Sequence, residues 1–274
     1  MAQAHGIALH IGLNSVNPSH YQGWSGPLTA CEADADDMAD LAVARGFSCT
    51  RLRTKDASRA AVTSVMADAA RRLRSGDIFF LSYSGHGGQL PDLNCDESGR
   101  KDDSWCLYDG ELVDEELYTL FGAFGAGVRI IMLSDSSHGG SVNKDLFYRS
   151  ETAARTPRVY RAMPDEIALR VYQKNKEFYD PILTSRDTAK ALESVKASVL
   201  LISACQENQY ARDGTFNGLF TGTLKSVWNG GTFKGSYGKF HKAIGAQMPP
   251  DQSPRLSMVG TVDRWFRSQT PFEI

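Results

Sequence analysis

The sequence lacks the features that would assign it to several large classes of protein. Its 274 residues carry a net charge of −2, so no excess of one sign would draw it to nucleic acid or to an anionic membrane. No apolar run approaches the roughly 18 residues that a membrane helix needs. The N-terminus has neither the basic start nor the cleavage site of a secretory signal. We therefore expect a cytoplasmic protein that binds neither nucleic acid nor membrane.

Paired cysteines and several common catalytic motifs are also missing. The five cysteines are an odd number and have no CxxC spacing, which predicts reduced thiols rather than a disulfide framework or a zinc site. The motifs GxSxG, GxGxxG, HExxH and the Walker loop do not occur, so dinucleotide enzymes, nucleoside triphosphatases, zincins and elbow-type serine hydrolases have no support. The cysteines are Cys31, Cys49, Cys95, Cys106 and Cys205.

Five apolar runs are present, and segments of helical period lie between them. Their alternation predicts an α/β fold in which a mostly parallel sheet has helices on both faces. Two long connections interrupt the pattern: 89–105 is polar and acidic, and about 146–195 carries nine basic residues and a helix that begins at Pro164. We interpret the chain as one domain with two insertions. The five runs are 6–14, 47–53, 77–84, 128–135 and 198–205.

Three of these runs end in small polar residues. The sequences SGHGG, DSSHGG and CQENQ follow the third, fourth and fifth runs. Ligands of open parallel sheets bind at the carboxyl ends of the strands, so these ends predict one cleft. His86 as acid or base, a nucleophile at 136 or 137 and backbone N–H donors would suit acyl transfer. The alternative is a set of glycine-bounded turns, and we interpret His138 as structural because neighbouring residues rarely form a dyad.

The motifs YSGHGG, LSDSSHGGS and ISACQENQYA, in this order, resemble those of the caspase-like peptidases, specifically bacterial metacaspase-type members (orthocaspases). The resemblance runs from GIALHIGLN to MPPDQSPRLSMVG and implies a caspase-like fold with a mostly parallel sheet of about six strands. It also implies a single domain, 1–274. Within it the large subunit region would be 1–146, the basic linker 147–194 and the small subunit region 195–274.

The resemblance assigns the catalytic histidine to His86 and the nucleophile to position 137, where the family has cysteine and this chain has Ser137. Gly87 and residue 137 would supply the oxyanion N–H groups. A thiol with pKa near 8.5 is partly ionised at neutral pH, whereas a serine hydroxyl needs a closely bonded base. We expect Ser137 to be almost inert. Either it is an engineered Cys→Ser change, which the otherwise intact motifs favour, or the chain is a natural pseudopeptidase.

Metacaspase-type relatives cleave proteins after Arg or Lys, which implies an acidic pocket. The matching positions are Asp34 and Asp135, with Cys31 and Ser84 completing the wall. Carboxylates suit a guanidinium and would repel a substrate aspartate. From spacing alone, Asp34 would be a solvated helix acid. Rival functions are a pseudopeptidase that grips Arg-containing segments as an adaptor and a true serine hydrolase.

The resemblance further implies calcium activation and cleavage within the linker, by the protein itself or by an activating protease. No cofactor would be required besides calcium, and a monomer is expected. The alternative for both sets of residues is solvated surface charge. The candidate calcium ligands are Asp102, Asp103, Asp114, Glu115 and Asp145. The candidate processing sites are Arg149, Arg155, Arg158 and Arg161.

Overall fold

A computed structural model describes residues 3–93, 101–137, 159–185 and 190–274. Nine strands lie in these ranges: β1 Gly6–Gly12, β2 Ser48–Arg53, β3 Ile78–Ser84, β4 Gly87–Pro91, β5 Lys101–Leu107, β6 Gly110–Val113, β7 Arg129–Asp135, β8 Ser198–Ser203 and β9 Arg255–Gly260. Six of them form one sheet in the order β2-β1-β3-β7-β8-β9, parallel except for β9. The expected α/β fold with a six-stranded, mostly parallel sheet is confirmed.

Helices cover both faces of this sheet. In the described residues they are α1 Cys31–Ala44, α2 Arg59–Arg72, α3 Asp114–Gly122, α4 Asp165–Lys174, α5 Lys176–Leu183, α6 Ala191–Ser194, α7 Leu219–Trp228, α8 Tyr237–Gln247 and α9 Arg264–Ser268. Every residue of β1, β3 and β7 is buried. Because both faces of these strands are covered, they appear in the sequence as nearly continuous hydrophobic runs.

The acidic connection 89–105 contains strands that its composition did not predict. The strands β4, β5 and β6 form a small antiparallel sheet, and most of β4 and β5 falls within that connection. Leu90, Trp105 and Leu107 are buried on it. These apolar residues are too widely separated by polar ones to stand out as a hydrophobic run.

The basic connection is docked against the body where it is described, rather than forming a solvated linker. Helix α4 begins at Asp165, with Pro164 at the N-cap rather than at the first helical position as predicted. Buried side chains from 163–183 share one apolar cluster with residues of the body. That cluster contains Val16, Tyr21, Leu90, Cys106, Val113, Met163, Ala168, Val171, Tyr172, Tyr179 and Leu183. Among the described helices none has the length and apolar character needed to cross a membrane.

Candidate active site

The predicted site residues meet because three neighbouring strands end together. In β3 and β7 the last residues, Ser84 and Asp135, are direct register partners, and β8 pairs with the other edge of β7. The chain that follows each strand therefore enters the same region. It carries His86 after β3, Ser137 after β7 and the segment 204–218 after β8. This is the edge at which open parallel sheets bind ligands.

His86 is buried and oriented by the backbone. Its Nε2 lies 3.0 Å from the carbonyl oxygen of Gly26, which fixes Nε2 as the protonated nitrogen. Among the described residues Nδ1 has no hydrogen-bond partner. Burial lowers the pKa of His86 to about 4, although the hydrogen bond to the Gly26 carbonyl opposes the shift. The ring is therefore neutral at neutral pH, and its Nδ1 is free to accept a proton.

The N–H groups of Gly87 and Ser137 converge on one oxygen atom, the carbonyl of Arg161. The two N···O distances are 3.1 and 3.0 Å. Residue 87 must be glycine, because a Cβ there would lie 1.8 Å from the carbonyl oxygen of Ser137. Two backbone donors aimed at one carbonyl oxygen form the arrangement that stabilises an oxyanion in acyl transfer.

The side chain of Arg161 fills the acidic pocket beside these donors. Its exposed fraction is 0%, and its guanidinium lies 2.7 Å from Asp34, 2.9 Å from Asp135 and 2.9 Å from Asp213. It also donates a 2.8 Å hydrogen bond to the Ser84 hydroxyl. Three carboxylates thus face one buried guanidinium, and they more than balance its charge.

The pocket acids are held by neighbouring donors. Asp34 accepts hydrogen bonds from the Gly218 N–H and from the Asn217 amide. Asp135 accepts bonds from both the N–H and the hydroxyl of Thr221. Burial, together with the charge of Asp34, raises the pKa of Asp135 to about 6, although Arg161 opposes the shift. Gly218 leaves room for the guanidinium, because a Cβ there would lie 2.5 Å from it.

The backbone on both sides of Arg161 is paired with the body through two isolated bridges, Tyr160 with Arg212 and Ala162 with Gly87. Arg161 N–H donates to Ala211 O at 2.9 Å, and Asp213 N–H donates to Val159 O at 2.8 Å. On the other side of Arg161, Met163 N–H donates to Gly87 O at 2.8 Å. The segment thus lies in the cleft as a bound peptide would, with the Arg161–Ala162 peptide bond at the oxyanion donors.

Ser137 does not bond to His86 in the described hydrogen-bond network. Its Oγ accepts instead from the N–H of Ala211, at 2.9 Å. In the part of the chain that is described, no base is hydrogen-bonded to the hydroxyl, and a serine without such a bond is a poor nucleophile. His138 lies outside the described residues.

The structure brings together all seven residues predicted for catalysis and for the pocket. His86, Gly87 and Ser137 surround the carbonyl of Arg161, and Asp34, Ser84 and Asp135 surround its guanidinium. Cys31 is buried beside them, where desolvation raises its pKa to about 12 and Arg161, the nearest charge, opposes the shift. Sequence reasoning missed Asp213, Gly218 and Thr221. The turn-forming stretch DGTFNG, shortly after the fifth apolar run, could have marked Gly218, whereas Asp213 and Thr221 carry no local signal.

The candidate calcium ligands do not form a site in the part of the chain that is described. No group of three or more His, Cys, Asp or Glu side chains there has the arrangement to hold a metal ion. Asp102 and Asp103 are consecutive on β5 and so point to opposite faces of it. Asp145 and three of the candidate processing sites, Arg149, Arg155 and Arg158, lie outside the described residues.

Comparison with known proteins agrees with this geometry. A family model described as a caspase domain matches residues 6–270. Protein GSU0716 from Geobacter sulfurreducens, of known crystal structure, is 54% identical, with a TM-score of 0.88 and 98% of each chain covered. Caspase-1 from Spodoptera frugiperda has a TM-score of 0.55 over 94% of this chain and 86% of its own, at 12% identity, and shows the fold alone.

Fungal relatives are more distant and longer. Metacaspase-1 of Schizosaccharomyces pombe is 28% identical over 258 residues, and metacaspase-1 of Kluyveromyces lactis is 27% identical over 249. Each alignment covers 79% of this chain, but only 57% and 56% of the respective relatives. The chain therefore spans little more than half the length of these relatives.

Proposed function

The chain belongs to the caspase-domain family of peptidases, and from that premise we propose that it is a metacaspase-type (orthocaspase) cysteine endopeptidase that cleaves proteins after Arg or Lys. In this form Ser137 silences it. The observation that carries the proposal is Arg161, whose side chain fills the acidic pocket while its carbonyl oxygen sits on two backbone donors. The residue whose side chain occupies the pocket is thus also the residue whose carbonyl lies at the donors.

The active version has a thiol at position 137. The thiol gives its proton to Nδ1 of His86, and the sulfur attacks the backbone carbonyl carbon of the basic residue. The oxyanion is held by the N–H groups of Gly87 and residue 137. His86 then passes the proton to the departing amine, and water hydrolyses the acyl-enzyme. Neutral His86 with an unpartnered Nδ1 suits both proton transfers.

Selectivity follows from the charge of the pocket. Asp34, Asp135 and Asp213 offer three carboxylates to one side chain, so a substrate aspartate would meet like charge in a buried place. Arginine can satisfy several carboxylates at once because its guanidinium presents five N–H donors. Lysine is accepted as a point charge with fewer bonds.

The same geometry makes Arg161 the preferred processing site among the four candidate arginines. With Ser137 the bond stays intact, which gives a zymogen-like chain whose regions 1–146 and 195–274 remain joined through 147–194. Calcium stays a separate proposal, because the described acids do not by themselves form a site. None of the steps above depends on a metal ion.

A second candidate is a natural pseudopeptidase that binds Arg-containing segments as an adaptor. Ser137 favours it, because the pocket can hold an arginine without cutting after it. A true serine hydrolase is disfavoured, because no base among the described residues is hydrogen-bonded to the Ser137 hydroxyl.

The deciding experiment is Ser137→Cys, assayed with fluorogenic peptides that end in Arg, Lys or Asp, with and without calcium, beside the unchanged protein. We expect hydrolysis after Arg and Lys only, and only in the Ser137→Cys protein. The double variant Ser137→Cys, His86→Ala is the control for chemistry at this site. A folded Ser137→Cys protein that cleaves nothing, even after limited proteolysis of the linker, would leave the adaptor as the better explanation.

A further inference from the structure

The chain on the far side of the Arg161–Ala162 bond has anchors besides the side chain of Arg161. Gly87 and Ala162 form a parallel bridge, and Met163 N–H bonds to Gly87 O at 2.8 Å. The Met163 side chain is only 5% exposed and belongs to the apolar cluster shared by the linker helices and the body. The nitrogen of Ala162 is thus fixed in the cleft by the residue that follows it.

Helix α5 is fastened to the body by polar contacts. The hydroxyl of Tyr179 accepts from the N–H of Glu111 at 3.0 Å and donates to Nε2 of His20 at 2.7 Å. Burial lowers the pKa of His20, so its ring is neutral and able to accept this bond. Arg59 also lies 5.1 Å above the ring of Phe178. These contacts do not depend on the bond at Arg161.

The residues after the bond also supply part of the main sheet. Strand β8 pairs with β7 at the centre of the carboxyl edge, and β9 continues the sheet beyond it. Breaking one peptide bond in the cleft leaves this pairing untouched. A chain cut after Arg161 therefore stays assembled, with its new amino group beside His86.

We propose that, with a thiol at position 137, this site is a peptide ligase as well as a peptidase toward its own Arg161–Ala162 bond. This rests on the proposed function. In the resealing step, the neutral amine of Ala162 attacks the thioester carbonyl of Arg161. A C–N bond forms, the C–S bond breaks, the thiolate leaves, and His86 accepts the proton released by the amine. In a chain that is already hydrolysed, the thiol first attacks the protonated carboxyl group of Arg161; a C–S bond forms, one carboxyl oxygen leaves as water, and the thioester is regenerated. No oxidant, reductant or nucleotide is consumed.

Resealing competes with hydrolysis because the amine is held in place. A well-oriented group within a molecule reacts as if its concentration were about 10⁵ M or more, whereas water enters without such orientation. Cleavage of a free peptide is favourable largely because the two products separate and gain freedom. The two anchored ends gain little freedom when the bond breaks, so intact and cut chains coexist at equilibrium.

The test uses the full-length Ser137→Cys protein in water enriched in heavy oxygen, with samples quenched in acid and weighed by mass spectrometry. We expect cleavage to stop at a partial level that does not depend on protein concentration. We also expect heavy oxygen in the Arg161 carbonyl of chains that are intact, because only a hydrolysed and resealed bond can acquire it. The acid quench reports the thioester as a 1–161 fragment that lacks one water.

A matched pair of variants tests the anchor. Tyr179→Phe loses the hydroxyl that bonds to the body, whereas Tyr172→Phe loses one that bonds to Asp180 and Lys176 inside the helical pair. In the Ser137→Cys background, Tyr179→Phe should raise the ratio of cut to intact chain at least about fivefold, the size expected for each of the two hydrogen bonds that the hydroxyl makes. Tyr172→Phe should leave the ratio unchanged.

Three results would contradict the ligase. Complete cleavage, or a partial level with no heavy oxygen in the intact chains, would overturn it while leaving the peptidase standing. Cleavage of added Arg peptides with no released 162–274 fragment, even after acid quench, would show that the bond is not attacked at all. Failure to cleave either peptides or the chain would remove the proposed function itself.

Discussion

The two sides of the Arg161–Ala162 bond are held by opposite kinds of chemistry. Before the bond, a single buried cation meets three carboxylates and a hydroxyl. After it, Met163 enters an apolar cluster, and its side chain lies beside Gly88, as does the buried, hydrogen-bonded pair Glu111 and Ser104.

The difference separates recognition from anchoring. Any chain with an arginine can repeat the contacts of Arg161, because they need only a guanidinium and an extended backbone. The contacts of Met163 belong to a larger docked unit that includes α4 and α5, and a short peptide cannot reproduce them. We therefore propose that the first side sets what the site binds, and that the second sets how long this chain's own segment stays.

The largest effect is expected from Arg161→Ala. It leaves the carboxylates of Asp34, Asp135 and Asp213 without their shared cation, and removing one partner of a buried charged group costs roughly 2–5 kcal/mol. Protection of the 159–163 amides against hydrogen exchange should fall about 10²-fold or more. In Arg161→Lys, which keeps the charge but loses the forked geometry, the protection should lie between that of the unchanged protein and that of Arg161→Ala. Unchanged protection in Arg161→Ala would show that Met163 alone holds the segment.

Glu111→Gln tests the other side through pH. Burial raises the pKa of Glu111 from its ordinary value of 4.5 to about 7. Between these two pH values the folded chain keeps the carboxyl proton, whereas the unfolded chain has released it. Stability is therefore lost as pH rises from about 4.5 to 7. Above about pH 7 the variant should be more stable by about 3 kcal/mol, with no gain near pH 4. Urea unfolding at both pH values measures it, with exposed Glu193→Gln as control. An equal gain at both pH values would contradict the titration.

Gly218→Ala should weaken binding of arginine without disturbing Met163. The added Cβ would lie 2.5 Å from the guanidinium, whereas at Gly222, on the same helix, the nearest contact is an ordinary 3.4 Å. In the Ser137→Cys background, kcat/KM for Arg peptides should fall about 10²-fold, equivalent to about 3 kcal/mol. Gly222→Ala should change it little. Equal losses of kcat/KM in the two variants would indicate that the substitutions act through α7 rather than through the pocket.

The smallest effect is expected from Tyr160→Ala. Tyr160 precedes Arg161, and its ring lies 5.3 Å from that of Tyr210. An aromatic pair of this kind contributes roughly 0.5–1.5 kcal/mol beyond buried area. Exchange of the 159–163 amides should therefore rise less than about tenfold, well below the effect of Arg161→Ala. An effect as large as that of Arg161→Ala would indicate that Tyr160, rather than the contacts of Arg161 in the pocket, contributes most to holding the segment.

The sequence predicted most of the main sheet, because strands buried on both faces have an unmistakable composition. It also placed His86 and Ser137, because each directly follows such a strand. It could not place Asp213, since nothing local distinguishes that acid from the others; its role depends on how the loop after β8 returns to α1. The strands β4–β6 were missed because polar residues interrupt their apolar ones, and the burial of Arg161 depends on contacts distant in sequence.

Arg161 also determines what an inhibitor search on the uncleaved chain would measure. A group tethered beside its own pocket acts at an effective concentration in the millimolar range or higher, so an added compound must first displace it. Apparent affinities will be weakened by that factor for every compound that uses the acidic pocket. Such a screen ranks compounds by competition with Arg161, and a chain with Arg161→Ala would report their affinities for the pocket itself.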